Sequence, residues 1–322
     1  MILAGIDEAG YGPLLGPLVV GCCAFELPGE PADEVPCLWK ALRGVASKNR
    51  LKSGRRLHIN DSKLVYSSAG GLKELERSVL SIFAAGEEWC DGLDDFLQSI
   101  CPDIARELRT YPWYQPAADE RFPLEQDPAS IRIFANAARD EMRRGGLRCL
   151  HLSAQIISER RLNRMIEQTR NKGSMLFSVA ARHLDHLLRT YGRQGLVIFC
   201  DQQGGREHYG HLLRLMFEDW SLQILREQDG CAEYHLSQNG RTVRLIFTEK
   251  AETRCLSVAL ASMLSKYLRE ALMRRFNAWW RRLLPDLQPT AGYYTDGGRF
   301  LRDIDPKRRE LGIADEHLIR IR

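Results

Sequence analysis

Two carboxylates, Asp7 and Glu8, stand at the end of a short apolar run, Ile2 to Ile6, and Gly10, Gly12 and Pro13 follow directly. Charge at the end of a buried strand is unfavourable unless it is paired or binds a cation, so this segment constrains the fold more than any other. Successive strand residues point to opposite faces, and Asp7 and Glu8 converge on one site only where the regular pleat breaks. Gly10 and Gly12, with Pro13, are expected to supply that break. A second apolar run, Leu18 to Phe25, lies just beyond, as neighbouring strands of a buried sheet do.

Further along, Leu147 to Ile157 reads as a strand, followed by a helix opening at Ser158 with Glu159 behind it and a second helix from about Ser174 to Thr190. Gly195 to Cys200 is a buried strand ending on Asp201, and a helix is expected near Glu207 to Asp219. Asn239-Gly240 marks a two-residue turn, so Ala232 to Thr248 reads as a hairpin, and a long helix follows from about Thr253 to Leu284. Strands interleaved with helices predict an α/β fold with a mixed β-sheet flanked by helices. With 322 residues, 44% hydrophobic and 27% charged, the chain fits one large domain, 1–322, carrying an insertion. That insertion is assigned to 86–145, a Trp- and Pro-bearing stretch without a strand signal until its end, and is expected to be mainly helical.

Charge is unevenly spread. Gly86 to Ser130 holds 11 acidic and 3 basic residues, whereas Lys266 to Arg322 holds 13 basic and 8 acidic. A nucleic-acid footprint is therefore expected on the helical, basic C-terminal part, 253–322. Arg269, Arg274, Arg275, Arg281 and Arg282, with Trp279 and Trp280 between them, either form a solvated helix face or contact phosphates without reading sequence. Nine cysteines without a C-x-x-C pair fit reduced thiols in a cytoplasmic protein. Neither a positively charged leader nor a bilayer-length apolar run is read in the sequence, so a cytoplasmic monomer that does not engage membranes is expected.

Asp201 ends a strand with Gly204 and Gly205 close behind, and Glu252 follows the hairpin. Ligand sites gather at the carboxyl ends of strands in α/β sheets. Four oxygen-donor side chains suit Mg²⁺ or Mn²⁺, two of which can activate a water and stabilise the leaving oxygen of a phosphodiester. The bland readings stand beside this one: an Asp at a strand end is commonly a turn or cap residue, and Glu252 fits an N-terminal helix position favoured by the dipole. Arg206 is expected to open a helix beside the site.

Ala4 to Pro13, continued by Gly16-Pro17-Leu18-Val19-Val20, resembles the opening of type 2 ribonucleases H, the ribonuclease HII family. Asn60-Asp61-Ser62-Lys63, Ser158-Glu159 through Asn163, Leu196 to Asp201, Lys250-Ala251-Glu252 with Ala261-Ser262 and Lys266, and Gly292-Tyr293-Tyr294-Thr295-Asp296 resemble that family's further motifs in the same order. The resemblance covers nearly all of the chain except 86–145. It implies a ribonuclease H-like fold and a metal-dependent endoribonuclease that cleaves the RNA strand of RNA/DNA hybrids, or at ribonucleotides embedded in DNA. On this resemblance Asp7, Glu8, Asp201 and Glu252 are the catalytic residues and ligands of two Mg²⁺ or Mn²⁺ ions. Gly10, Tyr11 and Gly12 would read the 2′-hydroxyl, Lys63 would contact phosphate, and Tyr293 would pack against a sugar.

The chain departs from the family at three places. Tyr11 stands where the first motif usually has Arg, Glu252 where the fourth acidic position is usually Asp, and Tyr294 where a small residue or proline is usual. Two other functions stay open on the sequence: a same-fold nuclease acting on branched or single-stranded DNA, and a module that holds hybrids without cutting.

Overall fold

The computed structural model of the chain describes residues 1–29, 35–51, 54–66, 70–86 and 89–321. Residues 87, 88 and 322, at the edges of the expected insertion and C-terminal part, lie outside the described residues. Among those described, nine strands form: β1 (Ile2–Ala9), β2 (Leu18–Glu26), β3 (Ala46–Ser47), β4 (Leu57–His58), β5 (Arg148–Ile157), β6 (Leu196–Asp201), β7 (Ser221–Gln228), β8 (Cys231–Gln238) and β9 (Arg241–Thr248). The helices are α1 (Leu38–Ala41), α2 (Ser62–Val65), α3 (Lys73–Gly86), α4 (Leu93–Ile100), α5 (Ile104–Leu108) and α6 (Pro128–Gly145). After β5 come α7 (Glu159–Thr169), α8 (Lys172–Tyr191), α9 (Gly210–Met216), α10 (Leu256–Leu283), α11 (Tyr294–Glu310) and α12 (Asp315–Leu318).

Seven strands make one mixed sheet in the order β5-β2-β1-β6-β9-β8-β7. β1, β6 and β9 run parallel at its centre, while β2 and β5 on one side and β8 and β7 on the other are antiparallel to their neighbours. Each face has its own core. Alternate residues Ile2, Ala4, Ile6, Val20 and Cys22 pack under α7, α8 and α9, whereas Leu3, Val19, Cys23 and Phe25 pack under α3, α4 and α10. This is the expected α/β arrangement, a mixed sheet between helices. None of the described helices is long and apolar enough to cross a membrane.

Helix α10 organises one face. A Cβ on Gly5 would lie 2.2 Å from the backbone nitrogen of Val258, so only glycine lets the helix rest directly on β1. The helix is buried around most of its circumference, as a helix covered from two sides must be. Its second cover is the acidic segment: the buried Trp113 stacks at 24° to Trp280 and meets Phe276 edge-on. Arg275, buried on α10, donates to Glu120 at 2.8 and 2.5 Å, to Asp94 at 2.6 Å and to the Tyr114 carbonyl at 3.0 Å. The acidic charges of 86–130 are thus partly spent inside the protein, against the helix expected to bind phosphate.

Local expectations meet the structure unevenly. The Asn239-Gly240 turn is present, with φ of 51° and 75°, the positive pair a tight hairpin needs. The pleat of β1 runs through Asp7 and Glu8 to Ala9, so the break comes after the carboxylate pair and not at it. Gly10, at φ 88°, makes that break; Gly12 has no positive φ and an open surrounding, so nothing in the chain itself requires glycine there. Arg206 sits in the turn before α9, which starts at Gly210, so it does not open a helix. Strand β7 is absent from the sequence reading altogether.

Removing the Arg275 guanidinium leaves Glu120 without its buried partner. Arg275→Ala is expected to lower stability by about 3 kcal/mol, checked by urea unfolding; a change under about 1 kcal/mol would refute the account of the acidic segment as a charge-clamped cover of α10.

Candidate active site

Three parallel strands deliver three carboxyl ends to one place. The β1–β6 register pairs Ile6 with Cys200, which carries Asp7 alongside Asp201, and β6–β9 pairs Asp201 with Thr248. Glu252 follows β9 on the 3-10 turn Ala251–Thr253, ahead of α10 and not within its first turn as the bland reading had it. Lys250, at φ 53°, turns the chain there, and the Ala251 amide donates to the Asp201 carboxylate at 3.0 Å.

The carboxylates disturb one another strongly. Burial, then the charges of Glu8 and Asp201, raise Asp7 well above the usual carboxylate range. Burial and the Asp201 charge push Glu8 up to about 8. Asp201 is raised by burial, and Glu252 goes up to about 7 through burial and the charges of Asp201 and Asp61. Carboxylates raised in this way signal missing positive charge. Lys63 supplies part of it, lowering both Glu8 and Asp201. A buried Glu252 oxygen, Oε2, has no hydrogen-bond partner. An orphaned oxygen among crowded carboxylates is what an oxygen-seeking divalent cation satisfies. The four are more dispersed than a preformed cage: among the described residues, the one group of three or more acidic, His or Cys side chains with ligand atoms within 4.8 Å of one another is Cys22, His151 and His183.

The motif segments hold the site together through named contacts. Asp61 caps α2 by accepting from the Lys63 amide at 2.9 Å, which presents Lys63 to the carboxylates. Ser62 Oγ accepts from Ser262 Oγ at 3.0 Å, and Ser265 Oγ donates to the Asp7 carbonyl at 3.1 Å. The Gly292 carbonyl accepts from the amides of Leu14 and Leu15, docking the Tyr293 segment on the first loop. Tyr293 is 51% exposed, with the Arg269 guanidinium 5.7 Å from its ring centroid, so it is not a core aromatic.

Three basic residues at the first loop escaped the sequence reading of this site. Arg320, buried near the C-terminus, donates to the carbonyls of Gly10 at 2.5 Å, Tyr11 at 3.0 Å and Gly16 at 3.3 Å. Burial and the nearby Arg269 lower Arg320 to about 10. Arg269 donates to the carbonyls of Ala291 at 2.8 Å and Leu15 at 3.4 Å, so this helix arginine faces the interior and braces the loop. Lys172 places its ammonium 5.1 Å from the Tyr11 ring centroid, and burial and the Glu8 charge raise the Tyr11 hydroxyl, an effect the Arg206 charge offsets in part. A carbonyl-binding arginine at position 320 has no local sequence signature. Of the other arginines on α10, Arg275 is committed to Glu120 and Asp94 and Arg274 to Glu125, while Arg281 and Arg282 are exposed.

The raised values set a pH dependence. Glu8 and Glu252 titrate near 4.5 when unfolded but at about 8 and 7 when folded, so between these limits the cation-free folded chain binds more protons than the unfolded one. Stability is then full below about pH 4.5 and declines as pH rises through 7 and 8. Unfolding in chelator at pH 5 and above pH 8 is expected to show this decline, and Mg²⁺ to remove much of it; a rise in stability across the window would contradict the geometry.

No protein-family model matches the chain. Ribonuclease HII of Gluconobacter oxydans is 30% identical over 76 residues, 24% of this chain and 36% of that protein. Ribonuclease HII of Methanocaldococcus jannaschii is 42% identical over 59 residues, 18% of this chain and 23% of that protein. The matched segments thus span roughly a third and a quarter of those relatives' length. Among solved structures, ribonuclease HII of Archaeoglobus fulgidus in its complex with PCNA aligns over 100% of this chain and 95% of that one, with a TM-score of 0.42 and 14% identity. Ribonuclease H2 of Pyrococcus horikoshii aligns over 99% and 92%, at 0.41 and 13%. Over the matched sequence segments, the chain is similar to these two ribonucleases HII.

Proposed function

We propose that the chain is a Mg²⁺- or Mn²⁺-dependent endonuclease that hydrolyses the RNA strand of RNA/DNA hybrids, or DNA at embedded ribonucleotides. The observation that carries this reading is the convergence of Asp7, Glu8, Asp201 and Glu252 at the ends of β1, β6 and β9, with pKa values raised by burial and Glu252 Oε2 unpartnered. All donors are oxygens, which fits hard divalent ions. Two ions held there would lower the pKa of a water and neutralise a phosphodiester.

The chain's own groups take the remaining roles. Lys63, beside Glu8 and Asp201, holds the phosphate next to the cut. Arg206 and Lys172 gather at Tyr11 and provide cations where the first motif has lost its arginine. Gly10 keeps the turn, held from behind by Arg320, and the open space at Gly12 lets a sugar edge approach the backbone. Tyr293, exposed and poised on Arg269, packs against the neighbouring sugar. A second reading, a nuclease for branched or single-stranded DNA, is favoured by Tyr11 alone, because an aromatic ring stacks on any base.

The test offers four substrates with Mg²⁺ or Mn²⁺: an RNA/DNA hybrid, a DNA duplex with one ribonucleotide, an all-DNA duplex and a branched DNA. Cutting of the first two but not the others is expected. Equal cutting of all-DNA substrates would overturn the substrate assignment, and no cutting of any would overturn the nuclease. Asp7→Asn is expected to reduce turnover at least roughly 100-fold, since a lost ligand should exceed a lost outer-shell partner, while hybrid binding persists.

A further inference from the structure

On the face of the sheet away from α10, a second group of ligands converges that the proposed nuclease does not use. Cys22 of β2, His151 of the edge strand β5 and His183 of α8 bring a sulfur and two ring nitrogens within 4.8 Å of one another. Cys22 and Ser153 are direct cross-strand partners, and His151 lies two residues from Ser153 on the same face. Helix α8 closes over them. We propose that Cys22, His151 and His183 form a binding site for a thiophilic divalent ion of the zinc class, separate from the oxygen-donor site.

The hydrogen bonds preset the donors. His183 Nε2 lies 3.0 Å from the buried Val20 carbonyl, which can only accept, so the ring proton sits on Nε2 and Nδ1 keeps its lone pair. Fixing one ring nitrogen on a carbonyl orients the other toward a metal. That Nδ1 is 3.4 Å from Ser153 Oγ, and His151 Nε2 is 2.7 Å from the same oxygen. One hydroxyl proton faces two imidazole nitrogens, and burial raises the Cys22 thiol, so the group is uncharged until an ion displaces the thiol proton. His186, stacked on His151 with centroids 4.4 Å apart, holds that ring in place. Both His151 and His183 are pushed down to about 4, mainly by burial, and so are neutral, as ligands must be.

The donor set decides the ion. One thiolate and two imidazoles select zinc-like ions over Mg²⁺ or Ca²⁺, and the carboxylate site selects the reverse. Binding releases the Cys22 proton to solvent and forms the metal–sulfur bond, with no redox change. A cleft of about 400 Å³, lined by His151, Ser153, His183 and His186, adjoins the group and gives an entry path and a fourth position for Ser153 Oγ or water. The ion would tie β5, an outer strand of the sheet, to β2 and α8. The role is structural, and the proposal stands without the nuclease reading.

The test measures metal content and spectra of the intact chain. Wild type dialysed against Zn²⁺ is expected to retain one ion per chain, and Asp7→Asn to retain it equally. Cys22→Ala and His151→Gln are expected to lose it with unchanged circular dichroism, the second covering the case in which the first fails to fold. With Co²⁺ as probe, wild type should show a thiolate-to-cobalt absorption band that Cys22→Ala lacks. Retention of the ion and band in a folded Cys22→Ala or His151→Gln, or no stoichiometric zinc in wild type, would overturn the site.

Discussion

Burial of like-charged carboxylates at the ends of neighbouring parallel strands, with their repulsion added to it, is the constraint around which this molecule is arranged. Asp7 and Asp201 are side by side because β1 and β6 pair in parallel through Ile6 and Cys200, and Glu252 joins them because β9 continues that set. Water is largely excluded from Asp7, and Lys63 offsets the charge only in part. The fold must therefore be stable enough elsewhere to hold an arrangement that opposes it, as sites built for charged ligands generally require.

That stability comes from elements that do no chemistry. Helix α10 lies against β1 at Gly5, and its other side is covered by Trp113 and clamped through Arg275 to Glu120 and Asp94. The first loop is braced by Arg269 from α10 and by Arg320 from the end of the chain, which is itself tied down where Asn163 of α7 donates to the Ile319 carbonyl and accepts from the Ile321 amide. Buried guanidiniums binding carbonyls fix a loop without adding acceptors that would compete for a cation. Acidic residues of 86–130 neutralise Arg274 and Arg275 of α10 on this side, so under the proposed function the cations left for phosphate are Lys63, Arg206 and Lys172.

Much of the sheet was legible because strong local signals coincide with burial: β-branched runs for β1, β2 and β6, and Asn239-Gly240 for the β8–β9 hairpin. Strand β7 was not, because Ser221–Gln228 is mostly exposed and polar and carries no alternation to read. Asp7, Glu8 and Asp201 were legible as candidates from strand ends with glycine close behind, and Glu252 from the strand before it. Arg269, Arg275 and Arg320 were not, because charged residues are rarely buried and only tertiary partners reveal it. The same holds for Cys22, His151 and His183, whose separation along the chain matches no local metal motif. Gly10 earned its place by conformation, whereas the role of Gly12 is visible only as space left open for something else.

Burial of the carboxylate group opposes folding when no ion is bound, and under the proposed function cations relieve it. The most direct measurement compares thermal unfolding of wild type and Glu8→Gln in chelator and in Mg²⁺, above the Glu8 value of about 8. The account predicts that Glu8→Gln melts a few degrees higher than wild type without ions and gains far less from Mg²⁺. A variant that melts lower in chelator and responds to Mg²⁺ as wild type does would contradict it.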